Sequence, residues 1–473
     1  MKVISFRSPM GQTIVLGLIF FFTFTAYLTI QALSADLYGE KLGSYVPFSI
    51  YGFFAVFCFV SPAITNKLGC KNAMFFGVLG YACLVLASLV YFLDRENHPN
   101  SETYQSVVLI GASLLGVGAA LLWTGQGRLI LQYSDGSDGG TLFSVFWMLF
   151  NMAALVGGVL TFFIFGNSDV SDDDGTASDA PTANSTLFII FLAFVLCGAC
   201  ATRFILDATE LERDNKGHSN NIFNNHNSNN ALPLLVGDKN GLQPLFEVEV
   251  SESDWVTEFV ETIKLFGTSR MAVLAILFLY TGYNQPYQLV TFGNRFFTSQ
   301  TLGLGMIVFY GAEIVGGLWI GQFLDKAGKD KAKQREASKI CLWIFFLVTS
   351  VSFVICFFLE LPCAFKDKTC VKKISYDSVD VIMPTITYAL WGFSDSQIQT
   401  YSYWLMGVLY ESGEEQARAV GFYKMVQSLG WMVGFAFMPH DMMEPIIQLG
   451  GTVICFLVGL VLCLKELPSV KRG

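Results

Sequence analysis

Apolar runs of about 20 residues recur along this chain, and they constrain its fold more than any other feature. The first run is IVLGLIFFFTFTAYLTIQAL, at positions 14–33. A helix of about 20 mainly apolar residues is long enough to cross the hydrocarbon core of a bilayer. Hydrophobic residues make up 53% of the chain and charged residues only 14%. The sequence therefore predicts an all-α protein that crosses a membrane many times.

Twelve transmembrane helices are predicted from these runs. Their approximate bounds are 13–33, 45–65, 73–93, 107–127, 141–165, 186–206, 271–292, 301–323, 340–359, 381–404, 418–438 and 446–464. They fall into an N-terminal six-helix bundle at 1–206 and a C-terminal six-helix bundle at 266–473, joined by a linker at 207–265.

The linker has two parts with different predictions. Its tract HSNNIFNNHNSNN has few apolar residues to bury and is predicted to be disordered. Farther on, Trp255, Phe259, Ile263 and Phe266 recur at helical spacing. This segment is predicted to be an amphipathic helix, either on the inner membrane surface or packed beneath the bundles.

The basic residues orient the helices. With the N-terminus inside, the inner segments carry 21 Lys and Arg residues and the outer loops carry seven. Cytoplasmic loops are enriched in these residues, so both termini are predicted to be cytoplasmic. The outer loops then contain the glycosylation sequon at Asn184. They also contain Cys363 and Cys370, which are predicted to pair if that side is oxidising.

A charged motif occurs twice, 259 residues apart, at equivalent places in the two halves of the chain. The second copy is GQFLDKAGKDKAK at 321–333, and the first is PAITNKLGCK at 62–71. Both are predicted to be inner-face loops, after helices eight and two. The residues of interest are Asn66, Lys67, Gly69, Gly321, Asp325, Lys326, Gly328 and Lys329. Such twofold repetition is common in secondary transporters, whose substrate sites lie between the repeats.

The spacing of the second copy, G-x-x-x-D-K-x-G-K, resembles the signature loop of the major facilitator superfamily. The resemblance implies two six-helix bundles that rock about a central site, with the loop charges holding helix ends together in one state. The first copy departs from the pattern, because Pro62 replaces the leading glycine and Asn66 replaces the acid. A charge-pair lock is therefore not expected there, and a positively charged anchoring loop is the alternative.

Seven further segments resemble one branch of that superfamily, the UNC-93 family of ion-channel regulatory proteins. The most specific is LWTGQG at 122–127, and the others are at 24–37, 67–82, 270–284, 310–322, 391–400 and 421–431. Some members of this family regulate potassium channels and others escort innate immune receptors. The resemblance therefore implies either a transporter or an accessory to another membrane protein.

Ionisable side chains inside the predicted spans are candidate functional groups, because burying a charge in a bilayer is costly. Glu313 is predicted to be a proton or cation site, or else a protonated side chain bonded to a neighbouring helix. Asp395 and Lys424 lie at similar predicted depths. They are expected to form an intramembrane ion pair, unless Lys424 instead extends to the inner surface.

A central cavity is predicted where polar residues interrupt corresponding helices of the two halves. Pro286 should kink helix seven, and the offset of 259 residues brings Tyr27 opposite it. The candidate cavity residues are Tyr27, Gln126, Asn151, Tyr283, Asn284, Gln285, Gln288, Glu313 and Gln427. The alternative is that these groups only hydrogen-bond helices together.

Motifs for catalysis and for cofactors are absent from the sequence. There is no P-loop, no H-E-x-x-H and no G-x-S-x-G, and the four histidines do not cluster. No catalytic residue, metal, cofactor or nucleic-acid partner is predicted. The predicted partners are membrane lipids, an unknown small solute or ion, and, in the accessory hypothesis, a channel or receptor. The sequence does not distinguish the plasma membrane from an endomembrane.

Overall fold

The computed structural model describes residues 4–32, 34–93, 102–134, 137–165, 185–211, 255–366, 371–410, 412–437 and 443–468. These residues are helical apart from turns and one isolated bridge between Phe297 and Ile374. The predicted all-α class is therefore confirmed for the described part of the chain. The Asn-rich tract, Asn184 and Cys370 lie outside the described residues.

Helices follow one another with short connections. In the first half of the chain they are α1 (Pro9–Ala32), α2 (Ser34–Tyr38), α3 (Glu40–Phe57), α4 (Ser61–Leu68), α5 (Cys70–Leu93), α6 (Glu102–Tyr133), α7 (Gly139–Phe165) and α8 (Ser185–Ala201). In the second half they are α9 (Trp255–Phe266), α10 (Ser269–Gln285), α11 (Gly293–Phe296), α12 (Ser299–Asp325), α13 (Lys331–Glu360), α14 (Ile382–Leu409), α15 (Gly413–Ala436) and α16 (Pro445–Cys463).

Within the described residues, seven helices are long and apolar enough to cross a membrane, or up to nine if two bent pairs each count as one span. One pair is α3 with α4, bent by 64°, and the other is α9 with the helix Ser269–Phe296, bent by 73°. Helix α8, which was also predicted as a span, is apolar but too short to be in this set. Helices α14 and α15 are not in it either, although both were predicted as spans. They carry many polar side chains, which are buried among the surrounding helices.

The predicted span 45–65 is corrected by the break between α3 and α4. Because α4 covers Ser61–Leu68, both Asn66 and Lys67 lie in a helix rather than in a loop. Pro62 stands in the first turn of α4, where its missing N–H costs no hydrogen bond. Gly69 ends α4 with a φ of +78°, a conformation that favours glycine.

Helix seven does not break at Pro286. A π-helical segment, Pro286–Phe292, joins α10 to α11. The Tyr388 hydroxyl of α14 donates to the carbonyls of Gln288 (2.9 Å) and Leu289 (3.4 Å) in this segment. A side chain from α14 thus holds two backbone carbonyls of the π-helical segment.

Polar caps set the starts of the helices that carry the site. The side chains of Thr268 and Thr298 accept backbone hydrogen bonds at the N-termini of α10 and α12. Asp330 and Ser412 do the same for α13 and α15. Each cap satisfies a backbone donor that has no partner within its helix.

Glycines bring the two halves of the chain into direct contact. A Cβ on Gly321 of α12 would collide with the Gly140 carbonyl of α7. Near the other ends of the same helices, a Cβ on Gly303 would lie 2.6 Å from the Phe162 nitrogen. These close approaches fix α7 against α12 along most of their length.

Candidate functional site

A cavity lies between the two halves of the chain. Its volume is about 110 Å³, and residues of α1, α3, α5, α6 and α7 face residues of α10–α12, α14 and α15 across it. Eleven aromatic side chains contribute to its wall, among them Trp123, Trp147 and Trp431. The polar residues in the wall are Gln31, Gln285, Asn294, Glu313, Gln399 and Lys424.

Two carboxyl groups meet at this wall. Glu313 of α12 and Asp395 of α14 are each only 1% exposed, and they lie next to each other. The Asp395 oxygens accept hydrogen bonds from the side-chain amides of Gln399 (2.8 Å), Gln285 (2.9 Å) and Asn284 (3.4 Å). Three amide donors are well suited to an anionic carboxylate.

The surroundings of Glu313 differ from those of Asp395. Glu313 faces Asn151 and the Trp147 indole of α7, in the opposite half of the chain. Its Oε1 atom has no hydrogen-bond partner among the described residues. Glu313 therefore presents an unsatisfied carboxyl oxygen in the cavity wall, whereas the Asp395 oxygens are satisfied by neighbouring side-chain amides.

The predicted ion pair between Asp395 and Lys424 is corrected, because the structure does not join the two residues directly. The Lys424 ammonium donates to Gln427 (2.7 Å) and lies 3.9 Å from the centroid of the Trp123 ring. Gln427 donates to Gln399 (3.1 Å), which donates to Asp395. The two amides occupy the space between the charged groups.

The location of Lys424 also excludes the alternative of extension to the inner surface. Its side chain is completely buried, and it approaches the aromatic face of Trp123 from the other half of the chain. A cation over an indole face is stabilised by the ring quadrupole. Lys424 therefore contributes a buried amine to the cavity wall without a carboxylate in contact.

The structure sorts the predicted cavity residues into three groups. Tyr27, Gln285 and Glu313 line the cavity. Asn151, Asn284 and Gln427 lie one layer behind, where they contact Glu313, Asp395 and Lys424 respectively.

The remaining three predictions are corrected, since Gln126, Tyr283 and Gln288 are not in the described cavity wall. Gln126 is buried in α6. Tyr283 packs against Gly451 of α16, because it lies on the opposite side of α10 from the cavity. The side-chain amide of Gln288 is buried without a partner among the described residues.

Sequence reasoning missed Gln31, Asn294, Gln399 and the aromatic wall. Gln31 follows Tyr27 by one helical turn and donates to the Tyr51 hydroxyl at 3.2 Å. Gln399 follows Asp395 by one turn in the same way. The i, i+4 spacing from a residue already singled out was the available signal for both.

One end of the molecule carries the two charged motifs, and we call it the basic end. There Asp325 accepts hydrogen bonds from the backbone N–H groups of Gly140 (2.8 Å) and Thr141 (2.6 Å), at the start of α7. An acid at a helix N-terminus is stabilised by the unpaired N–H groups and the helix dipole. Lys326 and Lys329 are exposed, and Gly328 makes the turn with a φ of +55°.

The first motif copy forms a different set of contacts at the basic end. The Asn66 side chain accepts a hydrogen bond from Arg128 of α6 at 2.6 Å and donates to Glu258 of α9 at 3.0 Å. Glu258 also accepts from Arg418 of α15 at 2.9 Å. The cavity wall includes none of these four residues.

Two other predictions concern binding or covalent chemistry. Cys363 is disulfide-bonded in the structure, whereas its predicted partner Cys370 lies outside the described residues. In the part of the chain that the structure describes, no group of three or more His, Cys, Asp or Glu residues is placed to hold a metal ion.

Comparison with known proteins gives consistent results. Residues 40–464 match the family model described as "Ion channel regulatory protein UNC-93". The chain is 23% identical to UNC93-like protein 1 of Arabidopsis thaliana over 444 residues, covering 91% of this chain and 84% of the relative. It is 24% identical to Protein unc-93 homolog A of Homo sapiens, covering 88% and 85%.

Two solved transporter structures have a similar fold. The crystal structure of the major facilitator superfamily transporter FucP in its outward conformation aligns with a TM-score of 0.60 at 13% identity, covering 96% of this chain and 98% of that one. A bacterial homologue of the iron transporter ferroportin, in its outward-facing state, aligns with a TM-score of 0.62 at 11% identity, covering 97% and 99%. The protein is therefore a multi-pass integral membrane protein with the fold of major facilitator transporters, and the chain belongs to the UNC-93 family.

Proposed function

We propose that this protein is a secondary transporter that moves a small solute or ion by alternating access. The observation that carries the proposal is a buried carboxyl pair, in which Glu313 lies in the wall of the cavity between the two halves of the chain and Asp395 lies beside it. Buried carboxyl groups at such a position are typical of ion and proton pathways in membrane proteins.

The proposed architecture is twelve transmembrane helices in two six-helix bundles, at 1–206 and 266–473, with a cytoplasmic linker at 207–265. Both termini and the basic end are cytoplasmic in this arrangement. The basic end is closed by contacts of Asp325 and Glu258, and the two similar structures named above are both outward-facing. The described conformation is then one in which the cavity is sealed from the cytoplasm.

The carboxyl pair supplies a mechanism for coupling to protons. Two adjacent carboxyl groups in a low-dielectric interior resist carrying two negative charges, so the pair holds a proton. The amides around Asp395 favour its anionic form, which leaves Glu313 as the proton carrier. Tyr310 of the same helix also faces Glu313, and Lys424 reaches the pair only through Gln427 and Gln399.

The cavity wall favours an organic solute over a bare ion. Aromatic rings provide apolar faces on which a small molecule can stack, and the amides of Gln31, Gln285 and Asn294 provide hydrogen bonds. Lys424 and Glu313 add one basic and one acidic group to the same wall. We therefore expect a solute that has both apolar and polar faces.

Reconstitution into sealed liposomes tests the proposal. Pyranine trapped inside reports proton entry when a sugar, an amino acid or an organic cation from a panel is added outside. We expect at least one solute to drive proton entry by wild-type protein, and Glu313→Gln to abolish it. Glu360→Gln is the matched control, because Glu360 is an equally buried carboxyl that pairs with Arg295 outside the cavity wall. Equal proton entry with Glu313→Gln and wild type would reject proton carriage by Glu313.

The family description favours a second candidate function, a non-transporting accessory that regulates an ion channel or escorts a membrane receptor. Under this hypothesis no solute drives flux, and a channel or receptor co-purifies from cells in a complex that Glu313→Gln leaves intact. Solute-driven flux in the absence of any other protein would favour transport.

A further inference from the structure

Helix α9, the described α-helix of the linker, buries two polar side chains and exposes five apolar ones. Glu258 is 1% exposed and Thr262 is completely buried. In contrast, five apolar side chains are 39–65% exposed, namely Trp255, Val256, Phe259, Val260 and Ile263. A helix on the surface of a water-soluble protein has the opposite arrangement.

The buried side of α9 joins the two halves of the chain. The Glu258 carboxylate accepts hydrogen bonds from Asn66 (3.0 Å) and from Arg418 (2.9 Å). Asn66 in turn accepts from Arg128 (2.6 Å). One carboxylate on α9 is therefore bonded to α4, which also contacts α6, and to α15 of the other half.

This carboxylate replaces the one that the first motif copy lacks. In the second copy, Asp325 itself caps α7 of the opposite half. At the equivalent place in the first copy stands Asn66, which cannot pair as an anion with Arg418. Glu258 supplies the missing negative charge from a separate helix, and its burial leaves Arg418 as its charged partner. Removing one member of a buried pair leaves the other charged and desolvated.

The exposed side of α9 is suited to a lipid surface. Helix α9 meets the helix Ser269–Phe296 at 73°, so it runs along the membrane surface when that helix crosses the bilayer. At its end, Phe266 of α9 contacts Phe59 in the turn between α3 and α4, at 5.5 Å between ring centroids, and Phe59 is itself 39% exposed. Exposed Trp and aliphatic residues on a surface helix are typical of interfacial membrane binding.

We propose that α9 is a membrane-bound latch, whose apolar side inserts into the lipid surface while Glu258 clamps α4 and α15 together at the basic end. Lipid contact holds α9 where its carboxylate completes the first motif, and release of α9 separates the two halves there. The position of the latch does not depend on transport. Its part in opening the cytoplasmic side rests on the alternating-access proposal.

Hydrogen–deuterium exchange on the full-length protein in nanodiscs tests the clamp without any transport measurement. We expect Glu258→Gln to speed amide exchange in α9 and in α4 by about tenfold or more, because the buried pair with Arg418 is lost. The matched control is Glu261→Gln, since Glu261 lies on the same helix, is part-exposed and pairs only with Lys264. Exchange in Glu258→Gln equal to that in the control would overturn the clamp.

A second variant keeps this test decisive if Glu258→Gln does not fold. Asn66→Asp retains the acceptor for Arg128 but removes the donor to Glu258 and places two acids together. We expect it to speed exchange in α9 as well. Unchanged exchange in α9 would show that the docking of α9 does not depend on the hydrogen bond between Asn66 and Glu258, and it would overturn the proposed assembly.

Lipid contact is tested by fluorescence quenching in nanodiscs made with lipids brominated near the headgroup. The signal of Trp255 is the difference between wild type and Trp255→Phe. We expect brominated lipid to quench this difference, and Val256→Asp with Ile263→Asp to relieve the quenching. An unquenched Trp255 would overturn the lipid contact. Quenching that persists in the double variant would exclude insertion through the apolar side of α9.

Discussion

The two charged motifs hold the basic end together by different chemistry. In the second half, Asp325 belongs to α12 itself and bonds to two backbone N–H groups of α7. In the first half, Asn66 provides no charge, and Glu258 reaches the same position from the linker. One contact is built into a long helix, whereas the other depends on a helix of twelve residues that is docked from outside.

This difference indicates that the two contacts at the basic end depend on different segments of the chain. A cap contributed by α12 forms whenever α7 and α12 close, because no other segment is required. The contact on the other side also requires α9 to be in place. In a rocking protein, a partner that acts on the linker would therefore influence one side of the basic end and leave the other side intact.

The largest expected loss of stability comes from Arg418→Met, which removes the ion pair with Glu258 of α9. This change leaves the Glu258 carboxylate buried without its Arg418 partner, and it should lower the free energy of unfolding by about 3–5 kcal/mol. The measurement is a denaturant titration of purified protein. Lys264→Met is the control, because Lys264 is 65% exposed and its pair with Glu261 should be worth no more than about 1 kcal/mol. Equal losses in the two variants would contradict the assigned burial.

The next largest loss of stability is expected from Gly321→Ala, where α12 contacts α7. The new methyl would meet the Gly140 carbonyl and the Ser144 hydroxyl, so α7 and α12 must separate. We expect a loss of about 1–3 kcal/mol, as is usual for overpacking. Gly311→Ala is the control on the same helix, because its added Cβ would meet nothing within 4 Å. A destabilised control with an unaffected Gly321→Ala would argue against the glycine contact.

A smaller effect is expected from Asp325→Ala, which removes the cap of α7 but creates no clash. The loss should be about 1 kcal/mol, the usual contribution of a helix cap. Thermal unfolding of the variant reports it, with Lys329→Ala as the control because Lys329 is exposed. A loss of stability in Asp325→Ala as large as that in Arg418→Met would contradict the difference between the α12 contact and the α9 contact.

The smallest net change in stability is expected when the acid is moved from α9 to position 66 of the first motif, which corresponds to Asp325 in the second motif. Asn66→Asp combined with Glu258→Gln restores one carboxylate and one amide at the same contact. Stability should return to within about 1 kcal/mol of wild type, because one carboxylate again lies at the contact with Arg128 and Arg418, and Arg418 keeps its second partner Glu414 at 3.5 Å. A double variant no more stable than Glu258→Gln alone would show that the carboxylate must come from α9.

Much of the helical layout could be predicted from the sequence, since each of the twelve predicted spans overlaps a helix or a bent pair. The boundaries were less predictable. The break between α3 and α4 follows from packing at the basic end, where Asn66 contacts Arg128 and Glu258. Hydropathy does not report such contacts, because it averages over residues that are neighbours in the sequence and not over residues that meet in the fold.

The candidate site was predicted in part. Glu313 was singled out for its charge in an apolar helix, and it lines the cavity. Lys424 was singled out on the same grounds, but its contacts are with Gln427 and Trp123 rather than with Asp395. A charged residue in an apolar segment can be recognised in the sequence, whereas the residue that it contacts cannot.

The sequence by itself determined the membrane-spanning character, the repeated motif and the acidic candidates of the cavity, because each is a local property of composition or spacing. Only the tertiary structure decided the role of Glu258. Its helix appeared from the sequence to be an ordinary amphipathic segment, and its partner Arg418 is 160 residues away. The pairing arises because α15 packs beside α4 and α9, and only packing decides which side of a short helix is buried.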